Sequence, residues 1–161
     1  MEGPLMDKLE KVQSDFTKLI PEVGHMEYKD RLKRMKILSV QRRIDRYRII
    51  YTRKILLNKV PNPGIQVRNQ ESSRNGLTLE IPTRKGQIQV RAQNFLVRGP
   101  ANFNCLPKEL RSLEKSMDGF KVDLDKYLET LADRPRCGEA SKMHSNDLDS
   151  VIKHHKWCLK S

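Results

Sequence analysis

Residues 39–58 read SVQRRIDRYRIIYTRKILLN, and the way this stretch folds governs how the remainder of the chain is read. Ser39 is a capping residue type, its hydroxyl suited to accept from the free N–H groups of a first helical turn, and no proline or glycine follows until Pro61. The stretch predicts the longest helix of the chain. On a helical wheel Val40, Ile44, Tyr47, Tyr51 and Ile55 share one face, while Arg42, Arg46 and Arg53 lie almost opposite. Ile49, Ile50, Leu56 and Leu57 fall on neither stripe. A helix apolar around so much of its circumference requires contacts on more than one side. Either the domain folds over it, or an apolar face is left for a protein partner.

The same region carries the charge. Between Lys29 and Lys54, eleven lysines and arginines stand against two acids, Asp30 and Asp45, which places +9 of the formal +12 in 26 residues. Charge at this density repels itself and calls for a polyanion, of which nucleic acid is the commonest. The residues expected to contact phosphate are Lys33, Arg34, Arg42, Arg43, Arg46, Arg48, Arg53 and Lys54. They point to sequence-independent binding of RNA or DNA that weakens steeply with salt. A solvated face, an anionic membrane surface and a partner that takes up basic amphipathic helices are the competing readings. Tyr47 and Tyr51 have the chemistry to stack on bases, but their helical spacing points to core packing.

Towards the N-terminus, Leu5, Leu9, Val12, Phe16 and Leu19 recur at spacings of three and four, which predicts an amphipathic helix with that stripe in the core, stopped by Pro21. A brief second helix is expected over Tyr28–Lys36. Beyond the long helix, Pro61, Pro63 and Gly64 break the pattern. Leu77–Ile81 and Gln87–Arg91 alternate well enough to predict a β-hairpin over about 77–91, closed through Pro82–Gly86. A further helix is expected from Ala92 to about Asn102, interrupted at Gly99-Pro100, then a helical turn at Lys108–Leu113. The last predicted element of the domain is Met117–Leu131. There Met117, Phe120, Leu124, Tyr127 or Leu128, and Leu131 face inward, and Asp118, Asp123, Asp125 and Glu129 face solvent. The expected fold class is therefore mainly α: a small helical domain over 1–133 with a minor hairpin, and an irregular tail over 134–161 with a short late helix at Asp147–Cys158.

Bulk properties agree with a small, lean domain. Of 161 residues, 37% are hydrophobic and 6% aromatic, and the charged fraction of 32% exceeds the typical quarter. Apolar runs reach only three residues, so no membrane span is expected. Met1–Glu10 is acidic and lacks the apolar segment of a secretory signal, and the three cysteines are odd in number and widely spaced, which fits free thiols in a reducing compartment. An intracellular location, nuclear or cytoplasmic, is expected.

The sequence offers no catalytic constellation. It contains no adjacent Asp-Asp pair of the kind that helps hold two divalent metals, no Gly-rich phosphate loop and no nucleophile elbow, so no catalytic residue and no cofactor are assigned. Cys137, His144, His154, His155 and Cys158 all lie in the tail, but zinc requires convergent, closely paired ligands and the Cys137–His144 spacing is too loose. Cys105 reads as a small buried residue.

Several strings taken together resemble one family. They are Leu9-Glu10-Lys11-Val12-Gln13, Phe16-Thr17-Lys18-Leu19-Ile20-Pro21 and Tyr28-Lys29-Asp30-Arg31-Leu32, followed by Arg46-Tyr47-Arg48-Ile49-Ile50-Tyr51-Thr52-Arg53-Lys54-Ile55-Leu56. After a loosely matching middle, 60–95, come Val97-Arg98-Gly99-Pro100, Phe103-Asn104-Cys105-Leu106-Pro107, Phe120-Lys121 and Leu124-Asp125-Lys126-Tyr127-Leu128. In this order they resemble the region after the polymerase domain in non-LTR (LINE-type) retrotransposon reverse transcriptases, similar to the C-terminal ends of jockey-like and chicken-repeat-like element proteins. That resemblance implies a helical thumb-side extension that grips template RNA or the RNA–DNA hybrid. It also implies that the polymerase's Tyr-Ala-Asp-Asp motif belongs upstream, so no catalytic residue is carried over. Arg53 stands where the family often has tryptophan, Ser14-Asp15 replaces a usually basic pair, and the tail from Arg134 has no match. The implied function is that of a catalytically inactive fragment of an RNA-directed DNA polymerase that still binds RNA or DNA. The alternative is a remnant reading frame with no nucleic-acid role, non-functional or partner-binding.

Overall fold

A computed structural model of the chain describes residues 2–68, 76–81, 94–131 and 133. Six helices occur among them: α1 (Glu2–Lys18), α2 (Tyr28–Met35), α3 (Val40–Leu56), α4 (Phe95–Asn104), α5 (Lys108–Arg111) and α6 (Met117–Thr130). The described residues divide into two compact units, one formed by 2–44 and 133, the other by 45–68, 76–81 and 94–131. The expected mainly helical class holds. The tail from Arg134, with its expected late helix, lies outside the described residues.

In the first unit, α1 is turned about its axis relative to expectation. Leu5, Leu9, Val12, Phe16 and Leu19, read from the sequence as core, are all exposed, whereas Glu10, Ser14 and Thr17 are buried. The cause lies in α2, which brings Tyr28 and Arg31 inward. A buried guanidinium needs acceptors on every side, and the polar face of α1 supplies most of them. Arg31 Nε donates to Thr17 Oγ1 at 3.0 Å, its Nη2 to Ser14 Oγ at 3.0 Å and to the Ser14 carbonyl at 3.1 Å, and its Nη1 to the Met26 carbonyl at 2.6 Å. The Glu10 carboxylate accepts from the Tyr28 hydroxyl at 2.6 Å and from the Val40 N–H at 3.0 Å. Helix α2 closes with Lys36 in the left-handed region (φ 55), where the N–H groups of Lys36 and Ile37 return to the carbonyls of Lys33 and Leu32.

Helix α3 begins as its sequence predicts. Ser39 Oγ accepts from the Arg42 N–H at 3.2 Å, and Ser39 in turn donates its N–H (2.8 Å) and hydroxyl (2.6 Å) to the Asp133 carboxylate. The helix ends on a second left-handed residue, Asn58 (φ 54), with the Lys59 N–H returning to the Lys54 carbonyl at 2.9 Å.

The core of the second unit gathers Ile49, Ile50, Ile55, Ile65, Leu79, Phe103, Leu106, Leu110, Phe120, Leu124 and Leu128. Each such side chain stabilises the fold by about 1.5–3 kcal/mol before entropy is subtracted. The α6 stripe therefore behaves as predicted. The α3 stripe does not: Ile55 is buried, but Tyr47 and Tyr51 are exposed, and the inward face is completed by Asp45, Thr52 and Arg53. Tyr51 meets the Phe95 ring edge-on at 5.4 Å. Helix α4 starts three residues later than predicted, capped by Asn94 Oδ1 accepting from the Leu96 N–H at 3.0 Å, and runs through Pro100 instead of breaking there. Gly99 makes this continuation cheap, because it has no Cβ to clash with the following proline ring. It also lets α4 approach α3, since a Cβ at Gly99 would stand 2.8 Å from Thr52 Oγ1.

The predicted hairpin is not formed among the described residues, and its second strand, 87–91, lies outside them. Leu79 instead makes an isolated antiparallel bridge with Val67, through Arg68 N–H to Thr78 O and Glu80 N–H to Gln66 O, each 2.9 Å. The other edge of Leu79 is occupied by a side chain: its N–H donates to Asn104 Oδ1 and its carbonyl accepts from Asn104 Nδ2, both at 2.8 Å. With donor and acceptor both engaged by one carboxamide, Leu79 has no ladder position left for a hairpin partner.

Candidate nucleic-acid interface

The eight cations assigned to phosphate contact separate into two groups once their partners are known. Arg53 is fully buried in the second unit. Its guanidinium lies 4.3 Å from the centroid of the Phe120 ring and donates to the carbonyls of Ser112 (2.5 Å) and Lys115 (2.7 Å). Burial pushes its pKa down, yet arginine remains charged throughout the accessible pH range. In this fold it is a core residue holding the α5–α6 connection, with no face open to a phosphate. Arg42 is buried as well, at 3% exposure.

Arg46 forms a fork with Asp125, Nε to Oδ1 at 2.5 Å and Nη2 to Oδ2 at 2.7 Å, and this hydrogen bonding holds its pKa above the ordinary arginine value. Arg48 pairs with the buried Asp45 at 3.4 Å, and Asp45 also accepts from Asn102 Nδ2 at 3.1 Å. Lys54 is half-buried. The acids of α6, read as a solvated face, are the counter-charges. Besides Asp125 with Arg46, Asp123 pairs with Lys115 (2.6 Å) and Asp118 with Lys121 (2.9 Å), each lysine drawing its partner's pKa below the usual carboxylate range.

Lys33, Arg34 and Arg43 remain on the surface of the first unit. Arg43 donates to Gln13 Oε1 at 2.9 Å, a solvent-exposed bond to a neutral acceptor. On α2, Tyr28, Arg31 and Leu32 point inward. The outward side consequently presents Lys29, Lys33 and Arg34, with Lys36 at the helix end and Asp30 the sole acid among them. None of these four cations takes part in an ion pair or a side-chain hydrogen bond among the described residues. Lys29 and Lys33 sit one turn apart as like charges, a mildly repulsive arrangement that an anion relieves. Lys29 and Lys36 were not among the residues assigned from sequence; the spacing 29, 33, 36 was the available signal.

The N-terminus of α3 is not an open anion site. Its free Val40 N–H already faces the Glu10 carboxylate, and Ser39 binds Asp133. Burial pushes the Glu10 pKa up, outweighing the bonds from Tyr28 and Val40 that pull it down.

Other candidate chemistry is sparse. No group of three or more His, Cys, Asp and Glu converges among the described residues, and no helix there is long and apolar enough to cross a membrane. Cys105 is buried, as its sequence context predicts. Cys137, His144, His154, His155 and Cys158 lie outside the described residues. Ile49 and Ile50, whose position off both stripes suggested a face for a partner, are buried, and Leu56 and Leu57 are half-buried. No family model, curated protein or solved structure matches this chain.

Proposed function

We propose that the chain binds the backbone of RNA or DNA without sequence preference, through Lys29, Lys33, Arg34 and Lys36 on α2, with Arg43 as an accessory contact, and that it performs no catalytic step of its own. The observation that carries this reading is the unneutralised outward side of α2. In the second unit several cations are matched by acids, as in the Arg46–Asp125, Lys115–Asp123 and Lys121–Asp118 pairs. The resemblance to the post-polymerase region of non-LTR retrotransposon reverse transcriptases supports the same role, since a thumb-side segment grips nucleic acid by its phosphates.

The test is a salt titration of single-stranded RNA binding by fluorescence anisotropy. Four phosphate contacts give a slope of log K against log salt of roughly −3. Changing Lys29, Lys33, Arg34 and Lys36 together to glutamine should flatten that slope and weaken binding at low salt. The Arg46→Gln, Asp125→Asn pair of changes, made as a control, should leave it in place. Unchanged affinity in the α2 variant would remove this surface from the mechanism.

A further inference from the structure

We infer that the exposed apolar stripe of α1 is a self-association seam that takes a second copy of this chain in antiparallel orientation, whether or not nucleic acid is bound. Leu5, Leu9, Val12, Phe16 and Leu19 follow one another at intervals of four, three, four and three, the spacing of the inner positions of a coiled coil. All five are exposed, from 44% at Leu9 to 77% at Leu19. The opposite side of the helix is already used within the chain, where Glu10, Ser14 and Thr17 hold Tyr28, Arg31 and Val40. Helix α1 is therefore fixed in orientation with its seam outward. Two apolar helices of this kind bury little unless they face each other.

Charge selects the occupant. Along one flank of the seam stand Lys8 and Asp15, both exposed and seven residues apart, at equivalent positions of successive heptads. In an antiparallel pair that sets Leu9 against Val12 of the second copy and Leu5 against Phe16, equivalent flank positions face one another. Lys8 then meets Asp15 of the other copy, and Asp15 meets its Lys8. Asp15 is available for this, since its present contact is an exposed one to Lys18 at 3.9 Å. A parallel pair would set Lys8 beside Gln13, which already donates to the Leu38 carbonyl at 3.1 Å and accepts from Arg43. The stripe and its flank are thus self-complementary in one orientation.

Sedimentation equilibrium on the full chain, with far-UV circular dichroism as the folding control, tests this. The wild type should show a concentration-dependent monomer–dimer equilibrium. Val12→Glu, an exposed change to a good helix former, should leave a folded monomer. Lys8→Glu alone or Asp15→Lys alone should weaken the dimer by about tenfold, because two attractive pairs become repulsive, and the two changes made in one chain should restore it to within about threefold of wild type. A protein that stays monomeric at the highest attainable concentration overturns the proposal. A dimer indifferent to the charge exchange does the same, as does a monomer that instead adsorbs to vesicles of anionic lipid through this stripe.

Discussion

Arg53→Ala distinguishes between the two roles open to an arginine in the middle of a basic helix. In the structure its guanidinium serves two backbone carbonyls, of Ser112 at 2.5 Å and Lys115 at 2.7 Å, and covers the Phe120 ring at 4.3 Å. Hydrogen bonds from a charged group contribute about 1.5–3 kcal/mol each, and a desolvated cation–π contact about 2 kcal/mol. Against these stands the desolvation of the guanidinium, a penalty of several kcal/mol that truncation would release. Truncation also leaves two carbonyls without their donor and a void the length of the side chain. The net loss should be about 3–5 kcal/mol, a large part of the stability of a small domain. Arg53→Lys keeps the charge but lacks the fork that spans two carbonyls, and should lose about 2 kcal/mol. Urea unfolding followed by circular dichroism gives both values. RNA affinity is then measured below each variant's transition, where it should remain within about twofold of wild type. Stability within about 1 kcal/mol of wild type, together with an RNA affinity reduced about tenfold, would refute the assignment and place the guanidinium on a phosphate instead.

Three further outcomes follow from the same geometry. Ser39→Ala should cost about 1–2 kcal/mol in urea unfolding, because α3 loses its cap to the Arg42 N–H and Asp133 loses the hydroxyl it accepts from. Gly99→Ala should destabilise by about 1–3 kcal/mol, the new methyl group standing 2.8 Å from Thr52 Oγ1 and 3.0 Å from the Phe95 ring, and Thr52→Ala in the same chain should recover part of that loss in a double-mutant cycle. Glu10→Gln tests the buried carboxylate by pH. Burial raises the folded pKa above the unfolded value near 4.5, so between the two values the native state keeps a proton that the unfolded chain has released. Stability contributed by Glu10 therefore falls as pH rises through that interval and is flat above it. Glutamine keeps an oxygen for Tyr28 and Val40 and has no such fall. The unfolding midpoint of the variant should accordingly gain on wild type as pH rises above about 4.5 until the folded carboxyl has ionised, and a constant difference throughout would contradict it.

The order of the helices and, α4 apart, their approximate limits were legible because they depend on local chemistry: the Ser39 cap, the Pro21 stop and the inward spacing of Phe120, Leu124 and Leu128 each act within a few residues. The faces were less legible. Leu5 to Leu19 form a clean amphipathic stripe, and nothing within α1 announces that Arg31, fourteen residues beyond Thr17, will claim the polar side instead. Periodicity identifies two different faces of a helix without saying which one is buried when a neighbour carries a charge inward. Among the described residues the first strand of the expected hairpin is engaged elsewhere for a related reason: alternation at 77–81 is genuine, but Asn104 takes both backbone groups of Leu79 from 25 residues away. Of the candidate interface, the position of the basic segment was legible and its internal pairing was not, since Asp125 lies 79 residues from Arg46.

The distribution of partners divides the basic segment along chemical lines. Arg31, Arg46, Arg48 and Arg53 bind acceptors within the chain, and Arg42 is buried, whereas Lys29, Lys33 and Lys36 stand in solvent; Arg34 and Arg43, both exposed, and the half-buried Lys54 depart from this division. Arginine suits the first task because its planar fork meets carbonyls and carboxylates at several points and is less strongly hydrated than an ammonium. Lysine suits the second, since a flexible stem carrying a point charge follows an irregular phosphate backbone without a fixed geometry. If the chain binds a polyanion as proposed, formal charge overstates the share of α3 and understates that of the much shorter α2. The two allocations differ in a measurable quantity. Engagement of all eight cations first assigned would give a salt slope on single-stranded RNA of roughly −6, while the α2 surface alone gives roughly −3. A slope near the larger value would require Arg46 to leave Asp125 and Arg53 to leave the core, and so would appear together with partial unfolding on binding.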